Sequence, residues 1–125
     1  MIALDTSSVI AYLSGSEGED VEAVEMSFES EQAVLPPVVL SELLSDPALS
    51  KSVSAVVNQL PILSIHEGYW ERAGLLRAKV ISAGRRARLA DALIAQTCLD
   101  HDLPLVTRNR DFRHFARASS LKLLP

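Results

Sequence analysis

Residues 88–112, RLADALIAQTCLDHDLPLVTRNRDF, decide the fold because they combine a helix, a strand and a polar turn. The apolar spacing of residues 88–100 predicts a helix, and LPLVT, residues 103–107, predicts a strand. One carboxylate, Asp91, lies within the apolar helix, and another, Asp111, lies in the turn that follows the strand. A strand that leads through a polar turn into a further short helix, RDFRHFA, is typical of an α/β protein.

The N-terminal segment has the same organisation. The apolar run MIAL ends at Asp5, and DTSS supplies N-cap residues for a helix over VIAYL. Between the two segments, helices are predicted over VEAVEMSFES, VVLSELLS, ALSKSVSAVVNQL and EGYWERAGLLRAKVISAG, and strands over AVL, PILSI and, near the chain end, LKLL. Such alternation predicts a parallel sheet covered on both faces. We therefore expect one α/β domain over residues 1–125, a three-layer α/β/α sandwich with a central, mainly parallel sheet.

The composition excludes several classes of protein. With 48% hydrophobic and 22% charged residues, the chain is typical of a globular protein and too apolar for a disordered one. No apolar run approaches the roughly 20 residues that a membrane span requires. The N-terminus lacks the features of a signal peptide, and the single cysteine excludes an internal disulfide framework. We expect a cytoplasmic protein without a membrane segment.

The charges are unevenly distributed along the chain. Residues 1–71 contain twelve acids and one base, whereas residues 72–125 contain eleven bases and four acids. This asymmetry predicts that part of the surface faces a polyanion or a partner of opposite charge. Solvated helix faces are the alternative interpretation.

Three carboxylates stand where the pattern predicts burial. Asp5 follows the first strand, while Glu42 and Asp91 interrupt apolar helices. Burial of an unpaired carboxylate is costly, so each must be paired, protonated or bound to a metal. The carboxyl ends of parallel strands open the ligand cleft, and Asp5 is expected there. If the three acids converge, a hard divalent ion with oxygen ligands, Mg²⁺ or Mn²⁺, relieves their repulsion best.

Each of these acids also has a simpler role open to it. Asp5 could cap a helix, Glu42 could be a solvated helix residue, and Asp91 could be a first-turn acid favoured by the helix dipole. Arginines are available as partners for Asp91 immediately before it: Arg85, Arg86 and Arg88.

Asp111 is a candidate fourth acid. It follows the strand over residues 103–107, beside the hydroxyl of Thr107 and the amide of Asn109. It could reach a metal directly or through water, or it could cap the short helix that follows.

These residues, in this order, resemble the PIN-domain ribonucleases, and most closely the VapC-type toxins of bacterial toxin–antitoxin pairs. The matching segments are MIALDTSSVIAYL, LPPVVLSELL, RLADALIAQTCLDHDLPLVTRNRDF and LKLL, which together run nearly from end to end. The D-A-L-I-A block followed by L-x-T-x-N-x-x-F is the most specific part. The resemblance implies an α/β/α sandwich with an acidic pocket at the carboxyl ends of the strands.

The resemblance also implies roles for individual residues. Asp5, Glu42 and Asp91 match the three core acids, and Asp111 is assigned as the fourth, although Asn109 occupies a position that some members fill with an acid. Asp5 and Asp91 would make the inner metal contacts, while Glu42 and Asp111 would complete the site. The supporting polar residues are Thr6, Thr107 and Asn109.

The implied function is that of a Mg²⁺- or Mn²⁺-dependent endoribonuclease, the toxin of a toxin–antitoxin pair. RNA is expected to bind the basic second half of the chain at Arg85, Arg86, Arg88, Arg108 and Arg110. A small cognate antitoxin protein and a homodimer are the expected partners. The alternative is a catalytically inactive PIN-like module that binds RNA or a protein, because a fold does not establish an activity.

Overall fold

The computed structural model describes residues 1–125, in which four short strands alternate with seven helices. The strands are β1 (Ile2–Leu4), β2 (Ala33–Val34), β3 (Leu105–Val106) and β4 (Leu123–Leu124). The helices are α1 (Thr6–Leu13), α2 (Glu19–Glu29), α3 (Pro37–Leu44), α4 (Lys51–Gln59), α5 (Tyr69–Ser82), α6 (Leu89–Asp100) and α7 (Phe112–Ala118). None of the helices is both long enough and apolar enough to span a membrane.

The strands form one parallel sheet in the order β2-β1-β3-β4. In its register, Ala3 of β1 lies opposite Val34 of β2, and Leu4 lies opposite Val106 of β3. Successive side chains of a strand point to opposite faces. Because the residues of β1 and β3 that pair with each other are fully buried, helices cover the sheet on both faces. The predicted α/β architecture with a parallel sheet is confirmed.

The strand order fixes where a crevice opens. From β1 the chain passes to β2 on one side of the sheet and later to β3 on the other side, so the direction of winding changes between β1 and β3. In parallel sheets, ligands bind outside the carboxyl ends of the strands at such a switch point. The residues that directly follow β1 and β3 are Asp5 and Thr107.

The region before α5 differs from the sequence prediction. PILSI, residues 61–65, makes one isolated bridge, Ile62 to Leu35, instead of a strand. Only Leu63 in this segment is buried, so burial does not hold the segment against the sheet. Helix α4 begins at Lys51 rather than at Ala48, because Ser50 caps it.

The buried face of α2 contains polar residues beside apolar ones. Val24 is buried and Phe28 is half-buried against the core, but Asp20 and Ser27 are buried as well. An acid in the first turn of the helix therefore faces the protein interior. Asp20 tolerates this burial because it is paired with an arginine, as described below.

Candidate active site

Asp5 lies at the junction of β1 and α1 and is 4% exposed. It is the N-cap of α1, since its Oδ2 accepts a hydrogen bond from the Ser7 amide (3.4 Å). The same oxygen accepts hydrogen bonds from Ser7 Oγ (2.5 Å) and Thr107 Oγ1 (2.8 Å). Its other oxygen, Oδ1, accepts none. Because no buried side-chain oxygen in the protein lacks a hydrogen-bond partner, Oδ1 is open to solvent.

Asp91 lies in the first turn of α6 and is 7% exposed. Its one hydrogen-bond contact is long, 3.5 Å from Asn109 Nδ2 to Asp91 Oδ2. The helix N-terminus favours a negative charge here, as the sequence suggests. That effect does not compensate for burial, and the carboxylate is left without a strong donor.

The pKa of Asp91 responds to burial and to the charges of the other candidate acids. Burial raises the pKa of Asp91 to about 6, and the opposing charge of Arg88 only partly offsets this. Neighbouring negative charges raise the pKa as well, and they belong to Asp5, Glu42 and Asp111. A buried carboxylate that three negative charges repel is stabilised by binding either a proton or a cation.

Glu42 lies on α3 at the rim of the crevice and is exposed. Its Oε1 accepts a hydrogen bond from Thr6 Oγ1 at 2.7 Å. Helix α3 packs against α1 and α6, the helices that begin beside Asp5 and Asp91. This packing brings the charge of Glu42 near enough to Asp91 to raise its pKa.

The turn after β3 contains the remaining candidates. Asn109 Oδ1 accepts a hydrogen bond from the Asp111 amide (3.0 Å), and the Asn109 amide donates to Thr107 Oγ1 (3.0 Å). Asp111 itself makes no capping hydrogen bond to α7. Asp111 stands at the N-cap position of α7 without using its side chain as a cap, and Asn109 Oδ1 orders the turn by accepting from the Asp111 amide. The Asp111 carboxylate makes no hydrogen bond, and its negative charge raises the pKa of Asp91.

No cationic side chain neutralises these four acids directly. The protein contains two ion pairs, Arg72–Asp100 and Arg108–Asp20, and neither includes one of the four. As the side chains stand, no three His, Cys, Asp or Glu residues form a ready-made metal cage. Mg²⁺ is usually held by one or two carboxylates together with water and phosphate oxygens. A set of unpaired carboxylates around a solvent-open Asp5 oxygen fits that mode of binding.

The arginines before α6 are exposed and outside any ion pair: Arg85, Arg86 and Arg88. The backbone of their loop is nevertheless held. Arg77 Nε donates to the carbonyl of Ala87 (2.8 Å), and His114 Nδ1 lies 3.3 Å from the carbonyl of Arg86. An ordered loop therefore presents free guanidinium groups beside Asp91.

The two arginines after β3 have different environments. Arg108 is paired with Asp20, through Nε to Oδ2 (2.8 Å) and Nη2 to Oδ1 (3.0 Å), so it is not one of the free cations. Arg110 is exposed and lines an open cavity of about 490 Å³. Arg113, Thr107 and Asn109 line the same cavity. The cavity therefore adjoins the acidic crevice through residues that the two share.

Sequence reasoning missed two contributors to this region. Ser7 binds the Asp5 carboxylate, and its signal was its place two residues after a capping acid, where a hydroxyl can reach the cap. Asp20 lies on the same helical face as Val24 and Ser27, at spacings of four and three residues, which marks it as an acid on a buried face.

The fold and site together define a parallel α/β protein with an acidic crevice at its topological switch point. A family model of the PIN domain matches residues 2–118, and the chain belongs to the PIN domain family. PIN domains are nucleases that generally depend on divalent metal ions.

Solved structures share the fold. One is a chain of VapBC2 from Rickettsia felis, solved in complex with a DNA fragment from the VapBC2 promoter. It has 22% identity and a TM-score of 0.74, and the match covers 99% of this chain and 98% of that one. VapBC-5 of Mycobacterium tuberculosis, from the VapBC family of toxin–antitoxin systems, has 22% identity and a TM-score of 0.70, and the match covers 98% of this chain and 96% of that one. FitAcB of Neisseria gonorrhoeae has 21% identity and a TM-score of 0.71, and the match covers 100% of this chain and 97% of that one. No match was found among curated protein sequences.

Proposed function

We propose that the protein is a metal-dependent endoribonuclease and the toxin of a toxin–antitoxin pair. The observation that carries this proposal is the environment of Asp91. Three further acids act on it at the switch point of the sheet, its pKa is raised to about 6, and no cationic side chain pairs with any of the four. A divalent ion would relieve the repulsion between these carboxylates, so the site is suited to bind one.

Asp5 and Asp91 are the residues that would hold Mg²⁺ or Mn²⁺. Asp5 is suited to this because three hydrogen bonds fix its Oδ2 and leave Oδ1 open. Asp91 is suited because its own charge is poorly compensated. When bound, the ion supplies polarisation of the phosphate and a more acidic water.

Glu42 and Asp111 would complete the site from the two sides of the crevice. Thr6 orients Glu42 by donating to Oε1, so the free Oε2 can accept a proton from an attacking water. The backbone amide of Asp111 donates a hydrogen bond to Asn109 Oδ1, whereas the Asp111 carboxylate makes no hydrogen bond. We assign Asp111 rather than Asn109 as the fourth acid, because Asp111, unlike the uncharged Asn109, adds negative charge at Asp91.

RNA would cross the crevice between two groups of arginines. Arg85, Arg86 and Arg88 lie on the α6 side, and Arg110 and Arg113 lie in the cavity on the α7 side. Phosphates held on both sides would draw the scissile bond across the acids, and each contact would release counterions. Arg108 is left out of this set because Asp20 engages it.

We further propose a small antitoxin protein as the partner, cytoplasmic location and a homodimer. The antitoxin is supported by the structural neighbours, among them a member of the VapBC family of toxin–antitoxin systems. The homodimer is supported by large apolar side chains that α5 exposes, Trp70, Leu75 and Ile81. Co-expression with a small open reading frame found directly beside the gene, followed by mass measurement of the purified particle, tests the antitoxin, and the mass of the protein alone tests the homodimer.

Cleavage of RNA by wild-type protein and by Asp5→Asn and Asp91→Asn variants tests the nuclease. We expect Mg²⁺- or Mn²⁺-dependent cleavage that a chelator abolishes and that each substitution lowers at least 100-fold, roughly the effect of losing a group that stabilises developing charge. Asp102→Asn is the matched control: Asp102 is exposed, and its positive φ suits asparagine. Folded wild-type protein that binds RNA without cleaving it would favour the inactive binding module.

A further inference from the structure

The chain after β3 contacts three different partners with three consecutive residues. Thr107 donates to Asp5 and Asn109 donates to Asp91, so both face the candidate active site. Arg108, between them, extends to Asp20 of α2, and its backbone amide lies 3.4 Å from Ser7 Oγ. Arg108 therefore connects this segment to α2, while Thr107 and Asn109 contact the acids of the candidate active site.

The contact between Arg108 and Asp20 is specific in its geometry. Two nitrogens of one guanidinium meet the two oxygens of one carboxylate, at 2.8 and 3.0 Å. Arg108 Nη2 also donates to the carbonyl of Glu17 (3.0 Å), in the loop before α2. Paired hydrogen bonds of this kind fix direction as well as distance.

Asp20 is itself held on its other side. It is 8% exposed, and its Oδ2 accepts a hydrogen bond from Ser8 Oγ (2.8 Å), a fully buried residue of α1. The guanidinium of Arg108, as the main cause, keeps the pKa of Asp20 below its usual value despite burial. Asp20 therefore stays ionised and connects α1, α2 and the segment after β3.

The loop between α1 and α2 is shaped around this pair. Gly18 has a φ of +144°, and a Cβ there would lie 2.7 Å from Asp20 Oδ1 and 3.2 Å from Arg108 Nη2. Only a glycine combines that backbone conformation with such a close approach. The ion pair thus occupies space that the backbone leaves open for it.

We infer that the Arg108–Asp20 pair is a positioning device, which holds Thr107 and Asn109 in register with Asp5 and Asp91. This inference rests on the proposed nuclease function for its kinetic consequence, but not for its structural one. Arg108 touches none of the four acids and acts through its neighbours. Displacement of reacting groups by about 1 Å can cost roughly 100-fold in rate.

The second ion pair of the protein provides a matched control. Arg72 and Asp100 also form a two-point contact, 3.1 and 2.6 Å, between α5 and α6. The side chains are 41% and 7% exposed, against 38% and 10% for Arg108 and Asp20. Arg72→Gln and Arg108→Gln therefore remove similar ion pairs, one away from the crevice and one beside it.

The test compares these two variants with the wild type, with Asp20→Asn as a second way to break the pair. We expect Arg108→Gln and Asp20→Asn to lower kcat for RNA cleavage roughly 10- to 100-fold with KM within about threefold, and Arg72→Gln to change kcat less than about twofold. Circular dichroism establishes that each variant is folded at the assay temperature. Equal kcat losses in Arg108→Gln and Arg72→Gln would overturn the inference.

Amide hydrogen exchange provides a readout that does not depend on catalysis. The amides of Asn109 and Asp111 are hydrogen-bonded within the turn, and we expect their exchange to accelerate at least about tenfold in Arg108→Gln but not in Arg72→Gln. Unchanged exchange in Arg108→Gln would refute the positioning role, whether or not RNA is cleaved. If exchange accelerates in Arg108→Gln but the wild type cleaves no RNA, the positioning role is retained and the nuclease is rejected.

Discussion

Thr107 donates a hydrogen bond to Asp5, with Oγ1 lying 2.8 Å from Oδ2, although 102 residues separate them. The bond joins the ends of β1 and β3, the two strands between which the winding of the sheet reverses. It occupies one oxygen of the Asp5 carboxylate and thereby leaves the other available to a ligand. The geometry of the crevice therefore depends on a hydroxyl group that carries no charge.

Removal of that hydroxyl should damage both stability and activity. In Thr107→Val the shape is retained, but Asp5 Oδ2 loses a donor and the Asn109 amide loses an acceptor. We expect the free energy of unfolding to fall by about 1.5–3 kcal/mol, as for other hydrogen bonds to a charged group. We also expect kcat to fall roughly tenfold. Urea unfolding and RNA cleavage measure the two effects. Thr107→Ser keeps the hydroxyl and should retain both the stability and the activity of the wild type. A Thr107→Val variant as active as Thr107→Ser would contradict this assignment.

Asp91 should destabilise the metal-free protein at neutral pH. Its folded pKa of about 6 lies above its usual value of 3.8, so the folded state binds a proton more tightly than the unfolded state. Stability should therefore decline as pH rises from about 4 to about 6 and stay low above that range. Asp91→Asn should raise the free energy of unfolding by on the order of 2–3 kcal/mol at pH 7.5 in chelator.

Thermal unfolding at several pH values, with chelator or with Mg²⁺, measures this effect. The gain from Asp91→Asn should be small at pH 4 and largest above pH 6, and Mg²⁺ should reduce it because the ion stabilises only the wild-type carboxylate. A metal-free Asp91→Asn protein that is less stable than the wild type at pH 7.5 would mean that the carboxylate is better solvated than its position implies.

Two glycines should respond in opposite directions to the same substitution. Gly18→Ala introduces a Cβ against the Arg108–Asp20 pair at a positive φ, and we expect a loss of about 1–3 kcal/mol. Gly74 lies inside α5, where a Cβ meets nothing within 4 Å, so Gly74→Ala should gain roughly 0.5–1 kcal/mol from helix propensity. Urea unfolding of the two variants measures both. Equal effects at the two positions would show that the close approach at Gly18 is relieved without cost.

Arginines of the cavity should carry part of the salt dependence of RNA binding. In an Asp5→Asn background with Mg²⁺, Arg110→Ala and Arg113→Ala should each reduce the slope of log affinity against log salt by about 0.7, the value for one phosphate contact on a single strand. Arg117 lies on the same helix as Arg113, is exposed and is not among the cavity residues, so Arg117→Ala is the control. Fluorescence anisotropy with a labelled RNA gives the slopes; equal slopes for Arg113→Ala and Arg117→Ala would exclude the cavity from the RNA path.

Much of the fold was predictable from local pattern. The strand over LPLVT, the helix that contains Asp91 and the helix that ends before Gly84 all appear where apolar spacing and end signals indicate them. The prediction failed for PILSI, where the pairing with Leu35 after β2 stops at one bridge and only Leu63 is buried. The burial of Asp20 on α2 was not predictable from local pattern, because its stabilisation comes from Arg108, 88 residues away.

The sequence alone determined the class of fold and the acids worth considering, because alternating strands and helices require a parallel sheet and a carboxylate after a buried strand lies at its ligand-binding edge. The tertiary structure alone decided which charges are free. It paired Arg108 with Asp20, left Arg110 exposed, and left the Asp111 side chain at the N-cap of α7 without a capping hydrogen bond. The physical reason is range: backbone pattern acts over a few residues, whereas charge pairing depends on which distant elements pack together.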